Sequence, residues 1–322
     1  MASLPVKTTK RAIEEAKKEI KDSKITAQMC LKTRWPAIND ALMGGFRFNN
    51  NTLLAGASGH GKSYFLNLVI QDFLNPTING NFKKPFKIIH FNFEMSAADE
   101  LLRITSSKTG LSYGDLLSAK RKLNDLEYAK TVNTLNQLQD DRLLFVETPG
   151  NRIEIEQTIR AIHKMFPKEL LVIVLDHTLL VNDYDESSEV EKLAKLGKLF
   201  IGLKKEIPLL TILLGQLNDN IEHTERRNPA KPILHFPIKT DIFGSRQIYH
   251  AMDTVIIIHR PELLYLESYG PMAITTQNLI AIHFLKMRKG QIGFCKLKSN
   301  FQMGLIENWI DIKKTNYTFN TI

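Results

Sequence analysis

The chain has 322 residues, 43% of them apolar and 24% charged, with a formal charge of +9. Those proportions belong to an ordinary globular protein and exclude collagen-like, disulfide-scaffold and charge-dominated disordered chains. Its longest apolar stretches, such as Leu170 to Leu175, have the length of a core strand and are too short to span a bilayer.

Lys7, Lys10 and Arg11 follow the start without the apolar run of a signal peptide. Only Cys30 and Cys295 are present, in neither a CxxC nor a Cys/His cluster, which points to a reducing compartment and away from structural zinc. A cytoplasmic location with no membrane partner is expected. Thr9 to Ala27 alternate Lys, Glu and small apolar residues without Gly or Pro, so a helix is expected there. Ile13, Ala16 and Ile20 make a thin apolar stripe, and Glu14 precedes Lys18 by four. Two readings stay open: a solvated helix, or an arm that docks on a neighbouring subunit.

After Trp35-Pro36, short apolar runs alternate with helical stretches. Strands are expected at Thr52–Ala55, Lys87–Phe93, Arg142–Glu147, Leu170–Asp176, Leu209–Gln216, Thr254–His259 and Ile280–Arg288. Helices are expected near Ser63–Leu74, Ala97–Lys108, Arg121–Leu138, Ile153–Phe166 and Glu189–Lys205. This alternation predicts an α/β fold: a mainly parallel twisted sheet with helices on both faces and an antiparallel edge. Asp219 to Lys239, with three prolines and mixed charges, is the longest expected loop, of a length that is usually functional or mobile.

The run Gly56-Ala57-Ser58-Gly59-His60-Gly61-Lys62-Ser63 matches GxxxxGK[ST] between an expected strand and helix. Its glycines let backbone N–H groups turn inward around phosphates, and the following helix adds its positive end. In such a loop Lys62 reaches the β- and γ-phosphates and Ser63 offers a hydroxyl to Mg²⁺, so ATP and Mg²⁺ are the expected ligands. Leu170–Leu175 ends in Asp176, whose carboxylate can hold Mg²⁺ opposite Ser63; a lone strand-end Asp is otherwise a turn former. His177 beside it reads as a packing or polar-rim residue. Glu94 follows another apolar run at the carboxyl edge, where open sheets bind ligands. It is either a general base for the attacking water or a helix-start acid ahead of Ser96. Gln216 ends a further strand and could sense the γ-phosphate. Lys286 and Arg288 share a strand face before Gly290. They are either cations for transferring phosphate charge or members of a solvated edge strand.

Taken in order, these segments resemble the RecA-like ATPase domain of the DnaB-family replicative helicases over roughly Leu31 to Glu307. The likeness rests on Phe91-Asn-Phe-Glu94-Met-Ser96, Val174-Leu-Asp176 and Leu214-Gly-Gln216-Leu-Asn218. It continues through Asp241–Asp253, Ile256-Ile-Ile-His-Arg260-Pro-Glu262 and Lys286-Met-Arg288-Lys-Gly290-Gln-Ile-Gly293. By this resemblance Glu94 is the catalytic base and Gln216 a coupling sensor, while Lys286 with Arg288 is a finger pair inserted into the adjacent subunit's site. Lys239 to Ile248 becomes a loop facing a central channel, with Lys239, Phe243, Gly244 and Arg246 as DNA contacts. A homo-hexamer on single-stranded DNA is implied, with primase and a helicase loader as partner classes.

The sequence departs from the family in three places. The family's helical collar domain is expected to be missing, with only the arm near Thr9–Ala27 in its place. The channel loop reads Phe243-Gly-Ser-Arg246, displacing its basic residue, and Asp219 stands where an Arg often follows Gln-Leu-Asn. The expected organisation is an arm over residues 1–30, an ATPase domain over 31–310 and a polar tail over 311–322. Against the ring helicase stand two rivals: a filament-forming recombination ATPase, and a RecA-like switch that never touches DNA.

Overall fold

In the computed structural model, residues 7–25, 29–182, 188–301 and 304–310 are described. From the amino end come α1 (Thr9–Ile25), β1 (Cys30–Leu31), α2 (Pro36–Ala41) and β2 (Phe46–Arg47). Next are β3 (Asn50–Gly56), α3 (Lys62–Leu74), α4 (Pro76–Asn79), β4 (Phe86–Asn92), α5 (Ala97–Thr109), α6 (Tyr113–Leu117) and α7 (Asp125–Asn136). The centre holds β5 (Leu143–Val146), α8 (Arg152–Met165), β6 (Leu170–Asp176), α9 (Glu189–Glu206), β7 (Leu209–Gln216) and α10 (Ser245–Ala251). The chain closes with β8 (Thr254–His259), β9 (Ser268–Tyr269), β10 (Ile274–Thr275), β11 (Leu279–Met287), β12 (Gly293–Asn300) and β13 (Leu305–Asn308).

One nine-stranded sheet has the order β13-β12-β11-β8-β3-β7-β6-β4-β5. Strands from β8 to β5 in that order run parallel, and β11, β12 and β13 continue antiparallel. Both faces are covered, so the inner strands are apolar at successive positions instead of alternating. Leu54, Val172, Val174, Ile212, Leu214 and Ile256 pack with Phe65, Val69 and Phe73 of α3. Leu53, Ile173, Leu175 and Leu213 face the other way, toward Ile155 and Ile159 of α8 and Leu196, Phe200 and Leu203 of α9. The expected parallel sheet, two helical layers and antiparallel edge are all present.

Two expectations need correction. The helix expected from Arg121 starts only at Asp125, because Asn124 caps it: its side chain accepts from the Glu127 N–H while Glu127 takes the Asn124 N–H. Arg121 stays outside and pairs with Glu127 and Asp115. The stretch from Asp219 to Lys239 is folded into short 3₁₀ turns. Arg226 pins it, donating to both Asp241 carboxylate oxygens and to the Leu234 and Phe236 carbonyls. Where its side chains are described, helix α1 is exposed, Ile13 and Ile20 included at 48% and 59%. Among the described residues no helix is long and apolar enough to cross a membrane.

A polar chain is sealed into the antiparallel side of the core. His259 Nδ1 lies 2.8 Å from the Tyr269 hydroxyl, which lies 2.7 Å from His283 Nε2, and all three are buried. Burial holds both imidazoles neutral, pushing His283 from 6.5 down to about 3. The unfolded chain takes up protons below about 6.5 that these folded rings refuse, so stability falls as pH drops through that range. Asp176, raised by burial from 3.8 to about 6, opposes this below about 6, because its folded form takes the proton more readily. The thermal midpoint should therefore fall between pH of about 7 and about 5, and His283→Gln should flatten the fall. A midpoint that holds steady across that range in the parent protein would contradict neutral buried histidines.

Candidate functional site: a phosphate loop at the carboxyl edge

Parallel pairing brings the site together. Gly56, the last residue of β3, lies opposite Gln216 at the end of β7, and Asn92 of β4 lies opposite Asp176 of β6. The chain then turns through Ala57–Gly61 into α3. Gly59 and Gly61 have φ of 73° and 86°, a left-handed conformation that glycine adopts without strain. Gly56 is required for a different reason, since a Cβ there would sit 2.8 Å from the Ile258 carbonyl oxygen.

Lys62 folds back over this loop. Its ammonium donates to the Gly56 and Ala57 carbonyls at 2.9 and 3.0 Å and to Gln216 Oε1 at 3.0 Å. Burial lowers its pKa, and the carboxylates of Asp176 and Glu94 resist that shift. His60, buried in the loop, accepts the Arg260 backbone N–H on Nδ1 at 3.1 Å and stacks on His259. Its pKa falls to about 4 through burial, then through Lys62 and Arg260. It therefore serves as a neutral strut between the loop and the end of β8. Ser58 and Gly59 are exposed, while Ala57 is buried beneath them.

Asp176 is buried, and a hydrogen bond with Ser63 lowers its pKa against the larger effect of desolvation. Among the described residues its Oδ1 has no hydrogen-bond partner. A divalent cation between that oxygen and the Ser63 hydroxyl would satisfy a buried carboxylate that is otherwise costly, so the donor set fits Mg²⁺. Behind Asp176 stand His90 and Glu100, both buried, with ligand-capable atoms of the three groups within 4.8 Å of one another. His90 Nδ1 is 3.2 Å from Glu100 Oε2, yet among the described residues neither ring nitrogen makes a hydrogen bond. We read the two as a buried pair backing the strand end.

Glu94 stands two residues beyond the end of β4, exposed and close enough to act electrostatically on Lys62, Asp176 and His177. The Phe93 N–H donates to the Asp176 carbonyl at 2.8 Å, which fixes the turn that presents it. His177 is half-buried; Nδ1 accepts the Leu179 N–H at 3.3 Å, and the ring also bonds Gln216. Gln216 thus contacts Lys62 through its side chain, while its carbonyl accepts the Phe243 N–H at 2.9 Å.

That last bond joins the phosphate side to the segment expected to meet DNA. Leu217 bridges Ile242, and the Asn218 N–H donates to the Asp241 carbonyl. Lys239 is exposed. Phe243 is half-buried and packs on the core, and Gly244 adopts φ of 66° as the N-cap of α10, where a Cβ would meet Leu193 Cδ1 at 2.6 Å. Arg246 lies in the first turn of α10, and its side chain is outside the described residues.

Lys286 and Arg288 are not at this edge. In the antiparallel β11, Ile282 lies beside Ile258, which is opposite Gly56, whereas Met287 lies beside Thr254, which is opposite Thr52. Four residues of strand, about 13 Å, separate the two ends. The fold also brings Arg260 and Phe301 to the loop, neither of which the motifs mark as a site residue. The Arg260 guanidinium lies 4.3 Å from the Phe301 ring centroid, Nη1 approaches the Gly59 carbonyl at 3.5 Å, and Phe301 Cζ is 3.1 Å from a Cβ placed on Gly61. Only the segment holding Arg260 was visible in sequence; no local signal joins Phe301 to a loop some 240 residues earlier.

A family model described as "DnaB-like helicase C terminal domain" matches residues 31–308. The chain belongs to that family. Among curated relatives it is 23% identical over 195 residues to "Replicative DNA helicase DnaB" of Mycobacterium leprae (strain TN), 58% of this chain and 30% of that one. It is 26% identical over 172 residues to "Probable plasmid replicative DNA helicase" of Chlamydia muridarum, 53% of this chain and 36% of the relative. It therefore spans about a third of the length of those relatives. Among solved structures, one described as an "ATPase Domain" aligns with a TM-score of 0.74 at 16% identity, covering 92% of this chain and 99% of that one. A DnaB-like replicative helicase, solved in work on its interactions with primase, aligns with a TM-score of 0.75 at 16% identity, covering 95% and 68%. At that identity the structures establish the fold, the RecA-like ATPase arrangement expected of this family.

Lys62 offers the direct test of the site. Lys62→Ala removes the ammonium aimed at the loop, so tight binding of ATP and any turnover should be lost while far-UV circular dichroism stays unchanged. Turnover at the parent rate would remove the loop from the chemistry.

Proposed function

We propose that this chain is the motor domain of a ring-forming replicative DNA helicase, hydrolysing ATP with Mg²⁺ while moving on single-stranded DNA. The observation that carries this reading is the division of the site between two edges. Lys62, Ser63, Asp176, Glu94 and Gln216 gather at the carboxyl edge, and Lys286 with Arg288 stands at the opposite edge. Within one subunit the pair cannot serve its own phosphates; against a neighbour in a closed ring it can. The curated relatives named as replicative helicases favour a replicative helicase over a recombination ATPase or a switch without DNA.

In this reading Gly56 to Ser63 wraps the triphosphate in backbone N–H groups and the positive end of α3. Lys62 exchanges its carbonyl partners for phosphate oxygens, and Gln216, released or held with it, reports the change to Phe243 and the channel loop. Ser63 and Asp176 would hold Mg²⁺, which would supply charge neutralisation for the transferring phosphoryl group. Glu94 orients the attacking water and takes its proton. The nucleobase lies against Phe301, and Arg260 closes over that ring. Arg288 and Lys286 of the adjacent subunit meet the charge that develops on the transferring phosphoryl group. Helix α1, within the arm proposed over residues 1–30, docks on a neighbour through Ile13 and Ile20 ahead of the ATPase domain over 31–310; the polar tail expected over 311–322 lies outside the described residues. Lys239 and Arg246 contact the strand from the channel loop, with Phe243 and Gly244 holding the loop's shape. Primase and a helicase loader are the proposed protein partners, and the cytoplasm the proposed location.

Two outcomes are expected. Glu94→Gln should bind ATP as the parent does and lose hydrolysis, as isothermal titration and phosphate release would record; normal hydrolysis would assign the water to another residue. Single-stranded DNA should bind with little base preference and an affinity that drops steeply with salt, and Arg246→Ala should weaken all sequences alike. Absence of binding at any salt would favour the switch.

A further inference from the structure

The finger pair has a built seat, and its centre is Asp253. This residue follows α10 by two positions and is buried beside the start of β3. Its Oδ1 lies 2.9 Å from Arg288 Nη1. Oδ2 accepts the Asn51 N–H at 2.9 Å and pairs with the ammonium of Lys204 near the end of α9. The backbone repeats the tie: the Asp253 N–H donates to the Asn51 carbonyl, and the Arg288 N–H donates to the Asp253 carbonyl at 3.0 Å. Arg288, 56% exposed along its side chain, is therefore held at its backbone by the Asp253 carbonyl and at its guanidinium by a nearly inaccessible carboxylate.

Lys286 is held by the same junction. Its ammonium donates to the Tyr249 and His250 carbonyls at 2.7 and 3.3 Å, in the last turn of α10, and lies 5.0 Å from the centroid of the Tyr249 ring. The Tyr249 hydroxyl in turn donates to the Leu285 carbonyl at 3.1 Å. Helix α10 begins just after Gly244, so one short rod runs from the channel loop to the seat of both cations.

We propose that Asp253 is the positioning residue of the finger pair: its carboxylate aims Arg288 across the subunit boundary, and α10 makes that aim follow the channel loop. An arginine on an exposed strand end samples many rotamers, and a fixed acceptor for Nη1 restricts them while the rest of the guanidinium fork can still face an anion. The half-buried Lys204 keeps the carboxylate from being given over wholly to Arg288, so the guanidinium can shift toward a stronger anion. This inference rests on the reading of Arg288 as a group that acts in trans.

The experiment is a double-mutant cycle on the assembled protein with single-stranded DNA, using Asp253→Asn and Arg288→Ala. The amide keeps an acceptor for the Asn51 N–H and the shape of the site, and thermal melts show whether each variant is folded. Asp253→Asn alone should lower kcat about tenfold and leave KM for ATP within about twofold, the loss expected for one charge-assisted hydrogen bond. In the Arg288→Ala background it should add nothing, because a residue that acts through Arg288 has nothing left to position. A further loss in that background, or a parent-like kcat for Asp253→Asn while Arg288→Ala is nearly inactive, would overturn the positioning role and leave the finger reading standing. Full activity of Arg288→Ala would overturn both.

Discussion

The parallel register of four strands is the constraint on which the phosphate site depends. Gly56 opposite Gln216, and Asn92 opposite Asp176, bring groups separated by up to 160 positions in the chain to one edge. A slip of one residue in any of these pairings would turn the strand's side chains to the other face. Two-sided burial makes such a slip costly. Leu53 and Leu54, or Ile173 and Val174, serve opposite cores, so each strand is held in place by packing on both sides.

Within that frame the site's charges are arranged to need a ligand. Lys62 is buried against carbonyls, and Asp176 is buried with an oxygen that has no partner among the described residues, so the loop holds a desolvated cation and a desolvated carboxylate a short way apart. A triphosphate answers the first and a divalent cation the second, which is why the two belong together at this loop. Gln216 links this loop to the Phe243 segment: its side chain accepts from Lys62 and its carbonyl accepts the Phe243 N–H.

The antiparallel extension has a different part. By running β11 back along β8, the fold carries Lys286 and Arg288 from the phosphate edge to the opposite one and attaches them to α10 and Asp253. The same subunit thus presents a nucleotide site at one edge and cations at the other, joined through the rigid strand β3 and the channel-loop helix. In the proposed ring, the cations of one subunit would meet the nucleotide site of the next.

Much of this was legible in the residues. The GxxxxGK[ST] run, the apolar strands ending in Asp176 and Gln216, and the alternation of strands with helices are local signals, because phosphate binding by backbone N–H groups and two-sided burial each write a short-range pattern. Strand bounds at β6, β7 and β8 agree with expectation for that reason. The resemblance to the DnaB family likewise drew on ordered local motifs. What local pattern could not hold was distance. The start of α7 was a local signal that went unread, the Asn124/Glu127 cap, whereas the Asp219–Lys239 stretch looked loose because its order comes from Arg226 reaching Asp241 and the Leu234 and Phe236 carbonyls. Phe301 beside Gly61, His90 behind Asp176 and Asp253 beneath Arg288 are contacts between segments far apart in sequence, and each is set by register and sheet order. Sequence by itself determined which chemistry the chain carries, since that chemistry needs particular residue types at fixed local spacing. Tertiary structure decided which of those groups share an edge and which lie across the sheet from it, because only strand pairing converts position in the chain into position in space.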